Sequence, residues 1–186
     1  MTARGSKIAK IRYDGGGDLV FKPPCNVRVP FEPSTFDKDP NAQRLNLVLE
    51  IADPDVEATL RYFDSWIVDY VTEHCERILK KSLTRDQVAA GYSSCLRNSK
   101  DGYPPTLKTK IDLSGPRRVT CWDADGNQTQ LPDSWRSVLV RPALHITHVF
   151  MMAGQWGAVM QLTDARVVPR TDAKATPEGP RVNPFK

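Results

Sequence analysis

The first 52 residues of this chain read as extended segments separated by turns, with clean hydrophobic alternation over 25–31 and 44–52. Apolar residues recur at helical spacing from 53 to 81, and period two returns after Pro104-Pro105. Period two marks a strand with one buried face, whereas spacings of three and four mark a helix with one apolar stripe. A chain ordered strands, helix, strands is expected to be mainly β with one long helix (α+β). Short strands with one helical insertion suggest a small β-barrel or sandwich. The fifteen prolines and eleven glycines supply the many turns such a fold needs.

The alternation says which side chains point inward. Cys25, Val27, Val29 and Phe31 share one face, with Asn26 and Arg28 on the other. Leu45, Leu47, Leu49 and Ile51 do the same against Asn46 and Glu50, as do Leu107, Thr109, Ile111 and Leu113 against Thr106, Lys108, Lys110 and Asp112. Arg118 to Trp122 reads as a further strand, and Asp123-Ala124-Asp125-Gly126-Asn127 as a hairpin turn. Val138 to Met152 gives one or two strands broken near Pro142, and Ala158 to Val168 leads back.

The helix spans 54–81, with Asp53 as cap and Pro54 in the first turn. Val56, Leu60, Phe63, Ile67, Tyr70, His74 and Ile78 form its stripe, while Tyr62 and Trp66 lie off it and leave an outer face open to a partner. Such a helix would be roughly 40 Å long. Thr84-Arg85-Asp86-Gln87 is a capping box for a short helix to Ala90 within an otherwise loop-like 82–104. The expected organisation is one domain over 1–168, with helix and loop inserted, then a proline-rich basic tail over 169–186.

Catalytic chemistry is poorly represented. The three histidines are His74, on the helix stripe, and His145 and His148, whose spacing on a strand sends them to opposite faces. No G-x-S-x-G, H-E-x-x-H or P-loop lysine is present, and Gly15-Gly16-Gly17 reads as a hairpin tip. Cys25, Cys75, Cys95 and Cys121 are too widely spaced for a zinc knuckle and read as reduced thiols. Acid pairs such as Asp53/Asp55 and Asp123/Asp125 serve capping and turns. No enzyme activity, metal or cofactor is expected. No apolar run reaches the roughly 20 residues of a membrane span, and Met1–Lys7 lacks a signal-peptide core, so an intracellular protein without a membrane partner is expected.

Charge is more informative. Six basic residues (Arg97, Lys100, Lys108, Lys110, Arg117, Arg118) face two acidic ones (Asp101, Asp112) between 97 and 118. Lys108 and Lys110 share one strand face, with Tyr103 before it and Trp122 on the following strand. Cations interleaved with rings on an open sheet suit single-stranded nucleic acid, because cations neutralise phosphates and rings stack on unpaired bases. A solvated lysine face with Trp122 in the core is the bland alternative.

The order of particular segments adds a resemblance. Tyr103-Pro104-Pro105-Thr106-Leu107-Lys108-Thr109-Lys110-Ile111 resembles a signature of the single-stranded-DNA-binding proteins of large nucleocytoplasmic DNA viruses. These are relatives of the podovirus-type single-stranded-DNA-binding protein. Val29-Pro30-Phe31-Glu32-Pro33-Ser34, Val149 to Gly157 and the terminal Pro184-Phe185-Lys186 are similar to further segments of that family, in the same order. The resemblance implies an OB-fold barrel that coats single-stranded DNA in replication or recombination without base preference. Carried onto this sequence, it points to Tyr103, Lys108, Lys110 and Trp156, beside which Arg28, Arg117, Arg118 and Trp122 are the candidates from charge and aromaticity. Two departures stand out: Glu32 replaces a family glycine, and the tail is basic where phage relatives carry an acidic one. Replication proteins or a second copy are possible partners. The alternatives are an assembly subunit that binds protein through barrel, helix or tail, and an RNA-binding protein.

Overall fold

The alternating segments become strands, and each finds a neighbour that covers its apolar face. The computed structural model describes residues 7–12, 16–35, 39, 41–99 and 102–170. In chain order the elements are β1 (Lys7–Lys10), β2 (Leu19–Phe21), β3 (Val27–Arg28), β4 (Arg44–Glu50), α1 (Pro54–Glu73), α2 (Cys75–Leu79) and α3 (Arg85–Ala90). There follow β5 (Leu96–Arg97), β6 (Thr106–Asp112), β7 (Thr120–Trp122), β8 (Gln128–Thr129), a 3-10 turn (Trp135–Ser137), β9 (Val138–Met152) and β10 (Gln155–Pro169).

Strand pairing follows a closed path. β9 pairs antiparallel with β3 (Val27 with Val140), β3 with β4 (Arg28 with Glu50), and β4 with β6 from Arg44–Asp112 to Glu50–Thr106. β6 meets β10 in parallel (Lys110 with Gln161), and β10 returns antiparallel to β9 along nearly its whole length. β1 and β2 pair with the remaining length of β9, β5 with β6, and β7 with the far edge of β10, where β8 completes a small hairpin. Inside the path lie Leu47, Leu49, Leu107, Ile111, Val140, Leu144 and Leu162, all fully buried. Each such side chain stabilises the fold by about 1.5–3 kcal/mol. Val56, Leu60, Ile67, Val68 and Val71 of α1 join the same core.

Local signals act as read. Asp53 Oδ1 accepts the N–H groups of Asp55 (2.9 Å) and Val56 (3.1 Å), satisfying donors that the first helical turn leaves free. Thr84 and Gln87 form the reciprocal box at α3. Asp123 Oδ1 accepts the N–H groups of Asp125 and Asn127, and Gly126 takes a positive φ of 85° to close the β7–β8 turn.

Several expectations are corrected. The helix does not run unbroken to 81: it stops at His74 (φ −110°) and resumes as the short α2, ending at Lys80 (φ 60°). The break lets buried Cys75 accept the N–H of Leu83 on its Sγ, turning the chain back toward α3. Segment 82–104 contains β5, too short to show any period. Pro142 does not interrupt β9, because it falls between Val140, the last residue paired to β3, and Leu144, the first paired to β2. On that edge its missing N–H has no partner to fail. Phe31 points outward and is 62% exposed, since β3 ends at Arg28 and the alternation carries no further than buried Val29. Tyr13, Asp14 and Gly15 of the glycine turn, Lys100 and Asp101, and residues 171–186 of the tail with Pro184-Phe185-Lys186 lie outside the described residues. β10 runs to Pro169, and the Arg170 N–H donates to Ser137 O.

Candidate nucleic-acid interface

The outward positions of β4 and β6 form one wall. Arg44, Asn46, Val48 and Glu50 stand beside Asp112, Lys110, Lys108 and Thr106, because antiparallel partners share a face. Lys108 is exposed opposite Val48. Lys110 is half-buried, and its ammonium donates to Asn46 Oδ1. Among the described residues neither lysine forms an ion pair. Asp112, the nearest carboxylate by register, is taken by Arg44 Nε at 3.4 Å and by Gln161 Nε2 at 2.8 Å. Burial lowers the pKa of Lys110, and the like charges of Lys108 and Arg44 lower it further. Three cations thus crowd a surface short of counter-charge, which an incoming anion relieves. Arg28 sits at the edge of this wall in a loose ion pair with Glu50, 3.8 Å.

The wall continues around β10. Gln161, the register partner of Lys110, is buried on the outward side beneath the turn that follows β6, where it also donates to Arg117 O at 3.3 Å. Arg117 and Arg118 of that turn line a cleft with His145, Thr147 and Asp164, and the cleft extends to Lys10, Arg12, Asp18 and His148. Here the structure overturns the expectation that the two histidines face apart. Val159 pairs with His148 but Met160 with Ile146, so Thr147 is an extra, bulged residue. A bulge shifts the alternation by one, and His145 and His148 come to the same side, with Ile146 and Val149 buried on the other.

Aromatic candidates fall into three classes. Tyr103 is 73% exposed just before β6 and free to stack. Trp122 is half-buried, its indole N–H donating to Asp164 Oδ1 at 3.1 Å. It does not lie on the strand next to the lysines, because β7 pairs with β10 and not with β6. Trp156 is a core residue: 3% exposed, its indole N–H on Val88 O at 2.9 Å, its ring 4.7 Å from that of Tyr92. It offers no face to a base. Exposed Phe31 is an aromatic that the alternation had turned inward.

Glu32, the departure from the resembled pattern, joins two loops. Its carboxylate accepts Ser134 Oγ (2.6 Å) and the N–H groups of Trp135 (3.0 Å) and Arg136 (3.4 Å), capping the 3-10 turn. Burial pushes this carboxyl up, but those hydrogen bonds and the Arg136 charge outweigh it, leaving its pKa below the usual value.

Sequence reasoning passed over Arg44, Lys10, Arg12 and the histidine pair. Arg44 was legible, being in phase with Asn46 on the outward face of its strand. The others depend on pairing and on a bulge that no local pattern reveals. Among the described residues no group of three His, Cys, Asp or Glu is placed to hold a metal ion, and no helix is long and apolar enough to cross a membrane. What the surface can do is hold a chain of phosphates by charge, with Tyr103 and one edge of Trp122 at its margins.

No family model matches the chain, and no curated protein matches it in sequence. Solved structures resemble it in fold. One is gp2.5, a single-stranded DNA binding protein encoded by bacteriophage T7, with TM-score 0.53 and 15% identity over 86% of this chain and 97% of that one. The single-stranded DNA-binding protein of bacteriophage Enc34 in complex with ssDNA gives TM-score 0.51 at 7% identity, covering 88% of this chain and 96% of the other. A second structure of the Enc34 protein gives 0.50 at 11%, covering 95% and 96%. At these identities the likeness is one of fold.

Proposed function

We propose that this chain is a non-enzymatic protein that binds single-stranded DNA with little sequence preference, in DNA replication or recombination of a viral type. The observation that carries this reading is the row of Arg44, Lys108 and Lys110 on the outward face of β4 and β6, with neither lysine paired to a carboxylate among the described residues. The closed path β3-β4-β6-β10-β9, with helices inserted between its second and third strands, fits an OB-type barrel. OB folds bind oligonucleotides on the face of those two strands. The fold likeness to two phage single-stranded-DNA-binding proteins supports the same reading, and with it the podovirus-type side of the sequence resemblance. The assignment to large nucleocytoplasmic DNA viruses rests on the sequence motifs alone.

Tyr103, Lys108, Lys110, Arg117 and Arg118, with Arg44 added and Trp122 at the margin, form the proposed contact surface. Arg28 contributes less because Glu50 already holds it, and Trp156 serves the core. The test is equilibrium binding of labelled oligo-dT at two salt concentrations, with an RNA oligomer and duplex DNA as competitors. The K108E/K110E variant should lose at least about 100-fold in affinity, and the salt slope should shrink by about 1.4 for the two lost phosphate contacts. Unchanged affinity in a folded variant rejects the site, and preference for the RNA oligomer redirects it.

A second reading has its own observation. Tyr62, Trp66 and Tyr70 are exposed on α1, and Phe63, Trp66, Tyr70 and His74 form a ladder of rings with centroids 5.9, 5.7 and 4.5 Å apart. Such a strip suits a protein partner, a replication protein or a second copy, and it is compatible with DNA bound elsewhere.

A further inference from the structure

The cleft around His145 and His148 is not needed to explain the β4–β6 wall, yet it is continuous with it. Gln161 lines the cleft and is the register partner of Lys110. The cleft's fixed cations come from separate elements: Lys10 and Arg12 from β1 and the residues after it, Arg117 and Arg118 from the turn after β6. Among the described residues two carboxylates answer them. Asp18, on the segment before β2, lies 3.7 Å from His145 Nδ1, and Asp164 of β10 is already engaged by Trp122 and Thr163. The cleft therefore carries excess positive charge even with both rings neutral.

The hydrogen bonds around His148 fix what its ring can offer. Thr147 Oγ1 lies 2.8 Å from His148 Nδ1 and 3.3 Å from Val159 O. A carbonyl only accepts, so when the ring is protonated Nδ1 donates to Oγ1 while the hydroxyl donates to Val159 O, and both contacts are kept. Nε2 of the charged ring is then a donor left for a phosphate. Burial lowers the His148 pKa, and the charges of Arg44 and Arg117 lower it further, so a phosphate that neutralises those arginines also favours the protonated ring.

We propose that the DNA backbone leaves the β4–β6 wall, crosses β10 and enters this cleft, where His148 is a titratable phosphate contact that strengthens binding as pH falls. The inference rests on the single-stranded-DNA reading and specifies the strand's path beyond the two lysines.

The experiment is a salt titration of oligo-dT binding at pH 8.0 and pH 5.5. The log–log salt slope should steepen by about 0.7 on acidification, for the one imidazole of His148 protonated. H148Q should show the same slope at both pH values. Should that variant not fold, the intact protein still decides the matter. Isothermal titration with oligo-dT near pH 6.5, in two buffers of different ionisation enthalpy, should report net proton uptake, and the His148 ring resonance should titrate at higher pH with oligo-dT present. Tight binding at pH 8.0 with an unchanged slope, or with no proton uptake, overturns the cleft path and leaves the wall intact. No binding at pH 8.0 in low salt removes the parent reading and this one together.

Discussion

Two surfaces of this molecule carry side chains that a resting globular domain would normally bury or pair, and they do so in opposite ways. The β4–β6 wall and its cleft hold cations without enough counter-charge and almost no rings. The outward side of α1 holds Tyr62, Trp66 and Tyr70 among acids, and those acids are mostly satisfied: Glu57 by Arg61 (2.7 Å), Asp69 by Arg85 (2.7 Å), and Asp64 by Tyr92 and Ser94 (both 2.5 Å). Rings and unpaired cations are thus separated. Binding at the wall should be chiefly electrostatic, with stacking supplied at its edge by Tyr103, whereas the helix face would repel phosphate and suit a protein.

The sharpest break in that comparison comes from a ring that belongs to neither surface. Trp156→Ala should destabilise the fold by about 3–5 kcal/mol, through lost packing and the lost indole hydrogen bond to Val88 O, and be read as a large drop in Tm. Gly157→Ala should also be costly, since a Cβ there would lie 2.5 Å from Ser93 O and 2.9 Å from the Phe150 ring. Next in size is the K108E/K110E loss of affinity, with Tm nearly constant. Tyr103→Ala should cost about 1 kcal/mol of oligo-dT binding, the low end for a stacked base, and leave unfolding unchanged. Tyr62→Ala with Trp66→Ala should change oligo-dT affinity less than about twofold. A larger loss there would erase the separation between the two faces.

Acidification sharpens the contrast without mutation. The folded-state pKa of His148 lies below its unfolded value, so folding favours the neutral ring and its contribution to stability is lost as pH falls through the ordinary histidine range. Glu32 is also depressed, so its contribution is present above the ordinary glutamate value and lost only at more acidic pH. The free protein should therefore soften in two steps on acidification, the first between about pH 7 and 5. Oligo-dT should offset that first step, because it rewards the protonated ring. Thermal unfolding with and without oligo-dT across that range checks both signs.

How much of this was legible in the chain divides along a physical line. Caps, turns and the inward face of each long strand are set by residues a few positions apart: Asp53 before Pro54, Thr84 before Gln87, Asp125-Gly126, and the leucines of β4. Their energetics are local, so the sequence by itself determined the helix start, the Asp-Gly hairpin and the outward direction of Lys108 and Lys110. Only the tertiary structure decided which strand lies beside which. Alternation names the face a residue occupies but not the neighbour it meets. β10 therefore came between Trp122 and the lysines, Trp156 was drawn under Val88, and one bulged threonine turned two histidines onto a common cleft. Long-range pairing is chosen by how all the apolar faces close on one another, and that choice is made by the whole chain at once.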